Sequence, residues 1–404
     1  MIKGINYRNF IVVVIVLFTG CSGAKTHNKP IEQSLDVETI RELWSEKLSG
    51  LITDLNISKN GSFVLVSTIP DPDRPDSSPL HQISLYSKDG QKIWQKTASA
   101  QIKSQAISET GELSLYSSYN EELTALDKNG NILWTVEANC RPIPIESSKR
   151  IVCFHDDDAE PGIAFDTYDW SGKKISSYSA PYDALNLKIS TNWSVQSAPH
   201  LVLGLARGRV VLFDPSLRSV WKKKVQGEIA DVAVSSEQNV LVAVLFNSKK
   251  AGQKLAVFNK KGKIIGQISP SNHSEQVEIS PDGNKIFLYG NGPRGQFASM
   301  YELIPGGLQE KWHQTNSRFA DYASPISLTP GFLLSGLEQQ TGEDRESDLI
   351  GLDFEGKMKW QLPVETEEGA YLYSNSYTPG SIVLAVGNDD SELRVFEIFS
   401  GKNN

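Results

Sequence analysis

Residues 125–134, ALDKNGNILW, decide the fold. Apolar and polar residues alternate into a turn at Asn129-Gly130, and a second short run leaves it and ends on Trp134. Asn-Gly between two alternating runs is a hairpin signal, because glycine takes the left-handed backbone of a tight turn without a steric cost. The same frame recurs at 85–94 (LYSKDGQKIW) and 351–360 (GLDFEGKMKW). Looser copies stand at 165–175 (FDTYDWSGKKI), 212–221 (LFDPSLRSVW), 257–265 (VFNKKGKII) and 301–312 (YELIPGGLQEKW). Taking the closing Trp as the mark, with Ile175 and Ile265 standing in for it, places the copies at 94, 134, 175, 221, 265, 312 and 360. A period in the forties built from short strands is the signature of a β-propeller.

Two more strands precede each copy, joined by turns such as Asn60-Gly61, Thr110-Gly111, Pro281-Asp282-Gly283, Pro330-Gly331 and Pro379-Gly380. Each unit is therefore four antiparallel strands, A to D, with the Trp on D. The last unit runs into 393–401 (LRVFEIFSG) and stops without a D strand. The N-terminal segment 40–50 (IRELWSEKLSG) supplies an orphan one, with Trp44 in the marker position. The expected fold is all-β: an eight-bladed propeller over 40–402, with about 45 residues per blade and the last blade closed by the N-terminal strand.

Composition agrees. In 404 residues, 39% are hydrophobic, enough for a sizeable core, and Gly 31 with Pro 19 suits a turn-rich β protein. The net charge of −8 argues against nonspecific nucleic-acid binding, which needs an excess of Lys and Arg.

Residues 1–20 read as an export signal: Lys3 and Arg8, an apolar run at 10–18 too short to span a bilayer, then Thr19-Gly20 before Cys21. Thr-Gly-Cys resembles the lipobox of bacterial lipoproteins, which implies that Cys21 is the lipid attachment site. Phe18 stands where Leu is usual, and an ordinary signal peptide is the alternative. Residues 21–39, polar and without pattern, read as a flexible tether. The expected location is the bacterial envelope, lipid-anchored in the outer membrane and facing the periplasm. Cys140 and Cys153 then form an even pair flanking a turn at 147–149. Either a diagonal disulfide, permitted in an oxidising compartment, or two buried thiols fits.

Ala125, Asp127, Gly130 and Trp134 resemble the tryptophan-docking repeat of the PQQ-like, or quinoprotein alcohol dehydrogenase-like, propellers, with the Asp–Gly spacing one residue shorter. The resemblance covers nearly the whole mature chain. It extends to eight-bladed PQQ-like lipoproteins that serve as non-catalytic scaffolds in outer-membrane β-barrel assembly. Quinoprotein dehydrogenases use a vicinal Cys-Cys pair, a Ca²⁺ site and a catalytic Asp. No two cysteines are adjacent here, so no cofactor is expected and no catalytic residue is carried over.

Other chemistries lack a residue set. The six histidines are scattered, without the spacing of a zinc site, and no metal site is expected. Gly290, Gly292 and Gly295 spell GxGxxG but sit between strands B and C of one unit, so they read as a glycine-rich turn. His155-Asp156-Asp157-Asp158-Ala159-Glu160 reads as a solvated acidic turn, with a Ca²⁺ loop as the alternative.

The B–C loops share one face of a propeller and sort by charge. Arg207, Arg209, Lys249, Lys250, Lys254 and Arg294 form a basic arc over units four to six. Asp156, Asp157, Asp158, Glu160, Glu343, Asp344, Asp389 and Asp390 belong to an acidic arc over the others. Such a split field orients a charged partner and speeds its arrival. The expected function is a lipid-anchored scaffold for an envelope protein partner, with a β-barrel assembly complex as one such partner. The alternative is a periplasmic binding or sensory module for a small ligand or ion. A PQQ-dependent dehydrogenase ranks third.

Overall fold

The computed structural model describes residues 40–71, 80–155, 163–179, 188–191, 200–235, 241–248, 252–280, 282–292, 295–316, 328–329, 332–341, 344–352, 354–364, 371–378, 381–388 and 390–399. The segments expected to be signal and tether, Cys21 included, lie outside them. The described residues form eight sheets of four antiparallel strands. Seven take their strands in chain order: sheet 1 over 51–97, sheet 2 over 102–137, sheet 3 over 140–179, sheet 4 over 188–224, sheet 5 over 228–268, sheet 6 over 276–316 and sheet 7 over 328–364. Sheet 8 combines Tyr371–Thr378, Ser381–Asn388 and Glu392–Phe399 with Ile40–Lys47 from the other end of the chain. Ile40 stands opposite Ile398, and Lys47 opposite Glu392. Arg41 pairs with Glu397 at 2.7 Å, Arg394 with Glu42 at 2.6 Å, and Lys88 of sheet 1 reaches the same Glu397 at 2.6 Å. Of the GxGxxG glycines, Gly290 and Gly292 lie at the end of the strand Lys285–Gly292 and Gly295 opens the strand Gly295–Ile304, with Gly292 opposite Gly295.

Strand composition follows position in the sheet. Inner strands are packed on both faces and read as continuous apolar runs. In Val242–Ser248 the first five residues are all buried. D strands are edges and alternate: in Lys92–Thr97 only Trp94 is buried. Among the described residues the core is a series of apolar clusters, each between one sheet and the next. Leu65, Ile83 and Leu85 of sheet 1 meet Tyr116 and Leu126 of sheet 2. Val383, Ala385 and Val395 of sheet 8 meet Leu55, Val64 and Val66 of sheet 1.

The repeated turn is where neighbouring sheets interlock. Asp127 Oδ1 accepts the backbone N–H of Asn129 at 2.9 Å and of Asn131 at 2.8 Å, which fixes the C–D turn. Asp169, Asp214 and Asn259 hold their own turns in the same way. Gly130 then sits at φ +80 with the Trp94 indole of the preceding sheet against it; a β-carbon there would lie 2.7 Å from Trp94 Cγ. Trp44 meets Gly90, Trp134 meets Gly172, Trp221 meets Gly262 and Trp312 meets Gly356 in the same manner. The indole N–H of Trp44, Trp134 and Trp312 donates to the carbonyl two residues before that glycine, at 2.8, 2.8 and 2.9 Å.

Two marker positions are corrected. Trp94, Trp134 and Trp221 stand opposite Leu85, Ala125 and Leu212, just before a one-residue bulge in the ladder. In sheet 3 the corresponding residue is Ser176, opposite Thr167, and in sheet 5 it is Gly266, opposite Val257. Ile175 and Ile265 fall in the bulge itself. The missing indole is replaced from the other side. Sheet 4 carries Leu217 at its turn instead of Gly, packed with Ile143 and Tyr178 on the Phe165–Phe213 cluster. Leu303 and Leu308 of sheet 6 lie against Gly266. Trp360 has no following turn to meet, because the C and D strands of sheet 8 come from opposite ends of the chain. It is 1% exposed, in a cluster with Ile382, Leu384 and Phe396.

Carboxylates tie adjacent A strands. Sheets 1 and 5 slip by one residue in their A–B ladders, after Ile52 and after Ile229. Asp54 and Asp231 follow these slips. Asp54 accepts the backbone N–H of Gln105 of sheet 2 at 3.0 Å, and Asp231 accepts that of Val277 of sheet 6 at 2.9 Å. Burial pushes Asp54 up to about 6. Burial, reinforced by the Asp231 carboxylate, pushes Glu278 up to about 8 from 4.5.

Two outcomes are expected. Gly130→Val places a branched side chain at positive φ against an indole, and should cost about 3 kcal/mol in urea unfolding. A loss below about 0.5 kcal/mol would show that the indole contact does not hold the sheets. Glu278 keeps its proton in the folded chain and loses it in the unfolded chain between pH 4.5 and about 8. Its contribution is therefore fully present below 4.5 and fades as the pH rises through 8. Glu278→Gln should melt about 3 °C above the parent at pH 9 and level with it at pH 4.5. Parallel melting curves across that range would contradict the assignment.

Candidate functional site

The candidate interaction face is built from the connections between strands B and C. In sheet 2 this is the tight turn 119–121, with Glu121 at φ 60; in sheet 4 it is Ala206–Gly208, with Arg207 at φ 59. Backbone bonds from the start of the D–A connection clamp these turns: Ala138 N–H donates to Glu121 O at 2.7 Å and Val225 N–H to Gly208 O at 2.8 Å. The B–C and D–A connections of a sheet thus lie together at one end of its strands.

Of the basic arc, Arg207 is exposed in its turn, while Arg209 opens the strand Arg209–Phe213 and Lys254 lies within Gly252–Phe258. Arg209 and Lys254 are therefore strand residues beside the loops. Lys249, Lys250 and Arg294 lie outside the described residues. Of the acidic arc, Asp344 opens the strand Asp344–Leu352, and Asp390 is half-buried in the turn before Glu392–Phe399. Asp156, Asp157, Asp158, Glu160, Glu343 and Asp389 lie outside the described residues. Tyr119, 51% exposed, adds an aromatic side chain to this face that the charge pattern did not mark.

Cys140 and Cys153 form a disulfide with their Cα atoms 5.3 Å apart. The ladder sets Cys140 opposite His155 and Pro142 opposite Cys153, so the bond crosses the strand pair diagonally. Both cysteines are fully buried between sheets 2 and 3.

Beside it lies a polar cluster that sequence reading missed. Asp166, 3% exposed, receives Ser177 Oγ–H at 2.6 Å and Lys174 Nζ at 2.7 Å, and His155 Nε2 lies 2.9 Å from its Oδ2. Burial pushes the Asp166 carboxyl up, but Lys174, Ser177 and His155 together outweigh it and hold it below the ordinary carboxylate range. Ser177 meets Asp166 rather than His155, so the set lacks a serine activated by a base. It serves to neutralise a buried charge. Among the described residues no three His, Cys, Asp or Glu side chains are grouped to hold a metal ion. Nor is any helix there long and apolar enough to cross a membrane.

Comparison with known proteins places this architecture. No curated relative matches the chain in sequence. BamB from Moraxella catarrhalis shares the fold at TM-score 0.55 with 14% identity, over 90% of this chain and 99% of that one. The Dos1 propeller superposes at TM-score 0.62 with 10% identity, over 89% and 96%. Hsv2 from Kluyvelomyces marxianus superposes at 0.51 with 11% identity, over 78% and 99%. These likenesses show a propeller fold. The model of a PQQ-like family described as outer membrane protein assembly factor BamB matches residues 80–284, from the third strand of sheet 1 to the first turn of sheet 6. With half its length matched and its sheets joined by indole-on-glycine contacts, the chain belongs to this PQQ-like, BamB family.

Proposed function

We propose that this protein is a non-catalytic scaffold in the bacterial envelope that holds a protein partner during outer-membrane protein assembly. The observation that carries the reading is the match of residues 80–284 to the family described as outer membrane protein assembly factor BamB. In this reading residues 1–20 are removed as a signal, Cys21 carries the lipid, 21–39 form the tether and 40–402 form the propeller. The thiol run-up Thr19-Gly20-Cys21 supports the anchor. The Cys140–Cys153 disulfide supports an oxidising compartment such as the periplasm. The partner docks on the B–C face, guided by the basic and acidic arcs.

The eight sheets form a closed ring in this proposal, with Ile40–Lys47 as the closing strand. Support comes from its ladder with Glu392–Phe399 and from the apolar cluster shared by sheets 8 and 1. A ring held by both chain ends presents a rigid face, which suits a scaffold.

Deleting residues 41–48 should lower the melting temperature by more than about 10 °C, since it removes a whole strand and one wall of that cluster. An unchanged melt would refute ring closure. For the partner, the test is a pulldown of the full chain from detergent-solubilised membranes. A stoichiometric β-barrel assembly protein is expected, its on-rate falling between low and physiological salt and its retention reduced when Lys249, Lys250 and Lys254 are each changed to Glu. Recovery of no assembly protein, together with a melting shift on adding PQQ, Ca²⁺ or a glycan, would replace the scaffold with a ligand-binding module.

A further inference from the structure

At the other end of sheet 3, where the A–B and C–D turns lie, is an open cleft of about 490 Å³. That volume falls in the range of small-molecule sites, about 300–1,000 Å³. Its lining is unusually cationic: Ser148, Lys149, Arg150, Lys173 and Lys174, with Asp169 and Ile175. The single carboxylate is already engaged. Asp169 Oδ1 accepts Ser171 N–H at 2.9 Å, Ser171 Oγ–H at 2.6 Å and Lys173 N–H at 3.0 Å. These bonds hold its carboxyl below the ordinary range.

The cations are left undercompensated. Arg150 stands opposite Asp169 across the ladder, yet no carboxylate among the described residues lies within ion-pair distance of Arg150 or Lys173. Lys149 is positioned by stacking, its Nζ 3.7 Å from the centre of the Trp170 ring, with Glu112 at 3.9 Å. Lys174 is shared with the buried Asp166 at 2.7 Å. Ser148 Oγ, buried in the wall, has no hydrogen-bond partner among the described residues. A planar guanidinium fork and two or three ammonium groups, beside an apolar Ile175 that is 42% exposed, match a phosphoryl group attached to a small carrier.

We propose that this cleft of sheet 3 binds a phosphate ester, with Arg150 and Lys173 as its main contacts and Lys149, preorganised on Trp170, closing over the anion. The chemistry fits either an anionic lipid headgroup or a soluble phosphate ester. It is independent of the assembly role, since it uses the opposite end of the strands.

The test uses the full chain carrying Cys21→Ser, which cannot be acylated. Glycerol 3-phosphate and glucose 1-phosphate are titrated by calorimetry, and vesicles of phosphatidylglycerol or of phosphatidylcholine are tested by co-sedimentation. At least one phosphate probe should bind, and Arg150→Gln with Lys173→Gln should weaken it at least tenfold. Lys128→Gln, in the turn of sheet 2, should leave it unchanged. Neutral replacements of similar length are chosen to spare the fold, and a matching melting curve checks this. Capture by phosphatidylglycerol vesicles alone, lost in the double variant, would assign a lipid headgroup; binding of the soluble esters would assign a free ligand. Failure of every probe, or binding that the double variant leaves intact, overturns the site.

Discussion

An indole lying on the backbone of a neighbouring turn is the contact on which the rest of this structure depends. Trp94 rests on Gly130, and Trp134, four residues further along, rests on Gly172. The same hairpin thus receives one sheet and engages the next, so the angle between sheets is transmitted from one to another. The turn must be free of a β-carbon to receive the ring, and its carboxylate must hold the backbone N–H groups that keep it open. Few substitutions satisfy both demands, which is why the motif stands out in an otherwise degenerate repeat.

What the interface requires is filled volume, and the indole is one way of supplying it. Sheet 3 offers Ser176 where an indole is expected, and sheet 4 answers with Leu217 in place of glycine. Sheet 5 offers Gly266, and Leu303 and Leu308 of sheet 6 close over it. A large residue given by one side is exchanged for a large residue given by the other, as close packing demands.

These exchanges explain what the sequence made legible. Strand order, the C–D turns and the split sheet all follow from local signals: a glycine turn, an alternating run, an orphan Trp44. The two misplaced markers, Ile175 and Ile265, come from reading hydrophobicity without register. The interval from turn glycine to Trp is four residues in 90–94, 130–134 and 356–360; the same interval from Gly172 and Gly262 leads to Ser176 and Gly266. The adjacent isoleucines sit in the ladder bulge, where sheets 1, 2 and 4 carry the exposed Ile93, Leu133 and Val220. The cluster around Asp166 was illegible for a different reason. His155, Asp166 and Ser177 come from three strands, and only the ladder register brings them to one side of the sheet.

The two ends of the strands carry unequal constraints. The C–D turns must present a glycine or its substitute to an incoming side chain, so in sheets 1 to 5 they keep four or five residues between strands. The B–C connections meet no such demand and run from two residues in sheets 6 and 7 to twelve in sheet 1. Freedom in length and charge therefore belongs to the B–C end, and a partner-specific surface can develop there without disturbing the interlock. By the same logic, charge on the constrained end needs its own explanation. Asp127, Asp169 and Asp214 are there because the turn backbone needs an acceptor. Lys149, Arg150, Lys173 and Lys174 serve no such turn with their side chains. Glu112 and Asp166 meet Lys149 and Lys174, but Arg150 and Lys173 share the cleft with them and have no ion-pair partner among the described residues, so like charges there repel one another. A compact anion seated among them would relieve that repulsion, which gives the cleft of sheet 3 a physical reason to be occupied.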